Sequence, residues 1–119
     1  MSKEQNFTAE DNWFKGERKQ LVFDIVDESE AAQTMTGWTL AFNMYRAGTS
    51  GAAVVSKTTA SGIGISNGAG TNDRATVTVP ASDTASLLAG VYYYELERTD
   101  SGAEQKLAFG TIILRNVRQ

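Results

Sequence analysis

A chain of 119 residues with 41% apolar content suits one globular domain, burying about two thirds of the surface its unfolded form would expose. Cysteine and histidine are both absent, so disulfides, thiolate chemistry, cysteine-held metals and histidine-containing triads are excluded within the chain. The net charge of −3 does not favour a nucleic-acid surface, and no apolar run approaches the roughly 18 residues of a membrane span.

Residues 1–14 read as a polar N-terminal arm with Phe7, Trp13 and Phe14 set into it, and residues 15–119 as the folded domain. The opening MSKEQNFTAEDNW has a lysine but no apolar stretch behind it, so no secretory signal is expected. In "GERKQLVFDIVDES", Leu21, Phe23 and Ile25 alternate with Val22, Asp24 and Val26, which predicts a strand. "DESEAAQT" is a polar loop. "TMTGWTLAFNMYR" turns at Thr36-Gly37 and then alternates strictly, with Trp38, Leu40, Phe42 and Met44 on one face. Trp38 is the expected centre of the core, with Tyr92 and Phe42 as neighbours.

A Gly-rich turn leads to a short strand in "VVSKTT". "GIGIS" then places Ile63 and Ile65 on one face, with glycines that suit close approach of another strand. "RATVTVP" is a half-buried strand closed by Pro80. "ASDTASLLAG" breaks the period of two. Ser82 or Asp83 can cap a helical turn over residues 82–89, Leu87 and Leu88 pin it, and Gly90 ends it. "VYYYELERTD" sets Tyr92, Tyr94 and Leu96 against Val91, Tyr93, Glu95 and Glu97. The last strand, "QKLAFGTIILRNV", changes face near Gly110, which predicts a bulge or kink there. About seven regularly spaced strands with one short helical turn read as an all-β, antiparallel sandwich or barrel, and a sandwich of two sheets is the expected form.

Reactive constellations are sparse. "IGISNGAG" lacks the ending and spacing of a phosphate loop, and "NGAGTND" offers Asn67, Asn72 and Asp73 without the spaced acids of a calcium loop; both read as plain loops. Glu95 and Glu97 share a strand face about 7 Å apart, within the range of a glycosidase pair, yet a cross-strand partner such as Lys106 explains them equally well. Trp13, Tyr45 and Tyr93 fall where alternation does not place them inside. They suit protein–protein anchors, with burial under the arm and a sugar-stacking platform as the other readings. Residues 1–30 hold eight acids against four bases, and residues 105–119 three bases and no acid. Solvated loops account for this; so does a subunit with an acidic and a basic end that packs head to tail.

The order of landmarks carries a resemblance. "FKGERKQLVFDIVD", then a short acidic loop, "MTGWTLAFNMYRAG" and "TVTVPASDTASLLAGVYYYELERTDSGAEQKLAFGTIILRNV" resemble the small immunoglobulin-like domains of tailed bacteriophages and prophages. The N-terminal domain of phage baseplate upper proteins is one relative. The resemblance covers roughly residues 14–117 and rests on Gly16-Glu17, Thr36-Gly37-Trp38, the segment from Ser82 to Glu97 and Gly110. The long polar N-terminus departs from the pattern.

The resemblance implies an immunoglobulin-like sandwich and a structural role in the virion, assembled in the host cytoplasm, with no enzymatic activity and no cofactor. It implies an assembly or adaptor subunit at the tail, neck or fibre-attachment region, bound to other virion proteins, in multiple copies or as a homo-oligomer. Capsid decoration and a carbohydrate-binding module for host attachment are the alternatives. The expected protein-interface residues are Phe7, Trp13, Phe14, Tyr45 and Tyr93, with the arm lying on a neighbouring subunit.

Overall fold

Each alternating stretch forms a strand in the computed structural model, which describes residues 3–6, 13–48 and 51–116. The strands are β1 (Lys3–Glu4), β2 (Lys19–Asp24), β3 (Leu40–Arg46), β4 (Val55–Thr58), β5 (Ile63–Ser66), β6 (Arg74–Val79), β7 (Gly90–Arg98) and β8 (Gln105–Leu114), with one short helix, α1 (Ala81–Thr84). They form two sheets, ordered β1-β8-β7-β3-β4 and β2-β6-β5. Every pairing between these strands is antiparallel except that of β1 with β8. The expected all-β sandwich is present, and its strand order is that of immunoglobulin sandwiches, which set G-F-C-C′ against B-E-D.

The inward positions are those that alternation assigns. Leu21, Phe23, Leu40, Phe42, Met44, Ala75, Val77, Val79, Tyr92, Tyr94 and Leu96 are all buried. Full burial of each large side chain contributes about 1.5–3 kcal/mol. Tyr94 joins the layers: its ring lies 5.5 Å from that of Phe23 in the opposite sheet and 5.6 Å from that of Phe42 on the adjacent strand. Tyr92 donates its hydroxyl to the Leu88 carbonyl at 2.6 Å, the tyrosine corner of such sandwiches.

The amino-terminal segment covers the β8 edge of the sandwich, and a lysine side chain covers the gap at the β4 edge. At the β8 edge, Gln5 N–H donates to Phe109 O at 2.9 Å. Tyr94 donates its hydroxyl to Gln5 O at 2.6 Å, and Gln5 Nε2 reaches across to Val22 O in the other sheet at 3.1 Å. Gly110 makes this approach possible, since a Cβ there would collide with the Gln5 carbonyl. At the β4 edge, Lys57 runs past Gly62 to pair with Asp83 of α1 at 2.6 Å.

Several sequence expectations are corrected. Trp38 is only half-buried, under the Arg98 guanidinium at 4.0 Å, because it precedes the first paired residue of β3. Trp13 fills the core instead, fully buried, with its indole N–H donating to Glu17 O at 3.3 Å. It therefore cannot anchor a neighbouring subunit. Nor are residues 3–6 and 13–14 an arm outside the domain: β1 pairs with β8, and Phe14 bridges to Arg115 on the same edge.

The bulge in β8 lies opposite Leu96/Glu97, so that Leu107 and Ala108 are both buried, whereas Gly110 stays in register with Tyr94. The helical turn starts at Ala81, with Pro80 at its N-cap and no side-chain cap, so neither Ser82 nor Asp83 caps it. Leu87 packs on the core but Leu88 is 64% exposed, so one leucine, not two, pins the turn. Gly64 faces open space; of the two glycines, only Gly62 is closely approached.

Two outcomes follow from this packing. Trp13→Ala is expected to cost about 3–5 kcal/mol, well above the loss for Trp38→Ala; urea denaturation of both variants checks the ranking. The Tyr94 hydroxyl is held well above the usual phenol range, first by burial and then by the Glu4 charge. A raised phenol favours the protonated folded state. Its stabilisation is complete below about pH 10 and is lost as pH rises beyond that. Tyr94→Phe should cost about 1 kcal/mol at neutral pH and flatten the alkaline loss between pH 9 and 11, read from denaturation midpoints.

Candidate protein-interaction face

The two outer faces of the sandwich differ in chemistry. The three-stranded sheet presents Gln20, Asp24, Arg74, Thr76, Thr78 and Ser66 outward, with Val22 the one large apolar side chain exposed there. Asp24 and Arg74 pair across it through two hydrogen bonds, at 2.7 and 3.2 Å. That is an ordinary solvated sheet face.

The five-stranded sheet carries aromatics and aliphatics where its outward positions are expected to be polar. Tyr45 of β3 sits directly opposite Tyr93 of β7, and Val91 of β7 opposite Ile113 of β8. Directly opposed residues on one face are the closest side-chain neighbours in a sheet. Tyr93 is 51% exposed, Val91 43% and Phe109 38%. A groove of about 280 Å³ runs between Tyr45, Tyr93 and Phe109, bordered by Glu95 and Lys106. Contiguous exposed apolar surface of this kind marks contact sites.

Tyr45 and Tyr93, expected as interface residues, are thus brought together. Phe14 is half-buried at the far end of β8, with the Arg115 guanidinium 5.1 Å from its ring centroid. Trp13 belongs to the core, and Phe7 lies outside the described residues. Val91, Phe109 and Ile113 complete the face and were not singled out from the sequence. The bulge lies at Leu107 rather than near Gly110, so Phe109 faces away from the core. Val91 and Ile113 could have been found by asking which outward positions of β7 and β8 are apolar.

Acidic groups elsewhere are occupied structurally. Glu95 pairs with Lys106 at 3.6 Å at the rim of the groove, and Glu97 lies beside Lys106 in register. Asp73, only 1% exposed, accepts the Gly68 N–H at 2.7 Å, which makes it a loop staple rather than an outward calcium ligand. Asp27 accepts the N–H groups of Ser29 and Ala31, shaping one wall of a second cleft of about 380 Å³ between Ile25, Gln33, Gln105 and Leu107. Among the described residues, no group of three histidine, cysteine or carboxylate side chains is placed to hold a metal ion. No protein-family model and no characterised protein matches the sequence.

Backbone hydrogen bonds, that from Gly68 foremost, hold the Asp73 carboxyl below its usual range; Arg98, followed by the Thr39 N–H, does the same for Asp100. Lowered carboxyls stabilise the fold above about pH 4 and lose that contribution as pH falls through their folded values. Thermal melts between pH 6 and 2.5 should show this acid loss, reduced in Asp73→Asn.

Proposed function

We propose that this protein is a non-enzymatic structural subunit of a tailed-phage virion, an assembly or adaptor unit at the tail, neck or fibre-attachment region. It binds neighbouring virion proteins through the outer face of its five-stranded sheet. The observation that carries the reading is the contrast between the two outer faces: one is polar, whereas the other exposes Tyr45, Tyr93, Val91 and Phe109. Burying such a patch against a partner is favourable at about 25 cal/mol per Å² of apolar surface, and tyrosines are frequent energetic centres of interfaces.

Two further points support a structural role. The chain has neither histidine nor cysteine, and Glu95 at the rim of the groove is drawn to Lys106. The resemblance to immunoglobulin-like domains of tailed phages supplies the setting.

Mixing the purified chain with virion proteins from its source, followed by mass photometry, tests the reading. Incorporation at a fixed stoichiometry is expected, and loss of incorporation in Tyr93→Glu. Because Tyr93 is half-exposed, its replacement should change stability by less than about 0.5 kcal/mol. Incorporation that Tyr93→Glu leaves intact would remove this face from the interface. A chain that ignores every virion protein but binds a glycan array would replace the reading with carbohydrate recognition.

A further inference from the structure

We infer that Asn67-Gly68 is a deamidation site that the folded loop holds closed, with the Asp73 carboxylate as its latch.

The chemistry begins in the dipeptide. Where glycine follows asparagine, no side chain shields the glycine nitrogen from the asparagine amide. Once that nitrogen loses its proton to hydroxide it attacks Cγ: the N–Cγ bond forms, the Cγ–Nδ2 bond breaks and ammonia leaves. Water then opens the succinimide at either carbonyl, giving aspartate or isoaspartate, with no change of oxidation state. Asn67 is exposed in the loop between β5 and β6, and it is the one asparagine in the sequence that glycine follows.

Packing fixes the glycine. A Cβ at Gly68 would lie 2.8 Å from Asp24 Oδ1 and 3.2 Å from Asp73 Oδ2. The Arg74 guanidinium holds that same Asp24 oxygen at 2.7 Å, and Asp73 is buried. Neither carboxylate is free to make room, so the fold requires the labile dipeptide.

The same surroundings oppose the reaction. Gly68 N–H donates to Asp73 Oδ1 at 2.7 Å, and Asn67 Oδ1 accepts the Asn72 N–H at 2.8 Å. Nucleophile and electrophile are each held on a partner other than the one they would react with. Removing the Gly68 proton would also set an amide anion 2.7 Å from a carboxylate, and a neighbouring like charge disfavours that ionisation. Asp73 does not act as the base instead. Backbone N–H groups, that of Gly68 foremost, hold its carboxyl below the usual range, which makes it a poor proton acceptor. Reaction therefore proceeds through the opened loop, at a rate set by how often the loop opens. Conversion is one-way. Isoaspartate adds a methylene to the main chain before Gly68 and so displaces its N–H from Asp73, and either product adds a carboxylate to a loop that already buries one.

Timed incubation of the full chain in mildly alkaline buffer, with and without urea, tests the inference. Trypsin, which cuts after Lys57 and Arg74, releases the segment for mass spectrometry. Asn67 is expected to convert at least about tenfold more slowly in the folded chain than in urea, the effect of one charge-assisted hydrogen bond or more. Asp73→Asn, checked for folding by circular dichroism, should convert about fivefold faster than the wild type, because a neutral amide oxygen accepts the Gly68 N–H more weakly. Equal rates in the folded and unfolded chain, or no conversion in urea, overturn the inference. A folded Asp73→Asn that converts at the wild-type rate removes Asp73 as the latch and overturns it too. Should that variant fail to fold, hydrogen exchange of the Gly68 amide in the wild type decides: slow exchange is expected, and exchange as fast as in an unprotected loop overturns the inference.

Discussion

Tyr94 stands where three parts of the chain meet, and the rest of the structure depends on how it is satisfied. Its ring packs between Phe42 of its own sheet and Phe23 of the other, and its hydroxyl holds the carbonyl of Gln5. A buried phenol without an acceptor would destabilise the fold by about 1–3 kcal/mol. The amino-terminal segment supplies that acceptor, and Gly110 leaves the space through which it enters. One residue thereby couples the packing of the two layers to the closure of an edge that would otherwise present unpaired backbone.

The same economy explains the far edge. Lys57 belongs to the inward set of β4, where a charged head could not remain buried alone. Its stem covers the gap between the sheets while its ammonium reaches Asp83 on α1. Tyr93, Val91 and Phe109 are exposed together on the outer face of the five-stranded sheet. Apolar side chains gathered on one face support association through that face.

The functional reading follows from chemistry that is used up elsewhere. Asp73, Asp27 and Asp100 accept backbone N–H groups, and Glu95 pairs with Lys106. Their engagement supports the proposal that the protein works through contact with partners.

Alternation of apolar and polar residues in the sequence by itself determined the strands, their inward faces and the all-β sandwich, because a period of two leaves a half-buried strand few other states. It also determined that Tyr45 and Tyr93 point away from the core, but not that they are neighbours, since cross-strand register is set by pairing between segments far apart in the chain. The place of Trp13 was hidden because residues 13–14 join the edge of β8 through a bridge to Arg115, a contact between the two ends of the chain that no local pattern encodes. The face of Phe109 was hidden because a bulge at Leu107 needs no glycine and leaves no mark in a run of apolar residues. Local periodicity is a property of neighbouring residues and can be read in one dimension. Register, edge closure and the contrast between two outer faces arise only when distant segments share one core, so tertiary structure alone decided them.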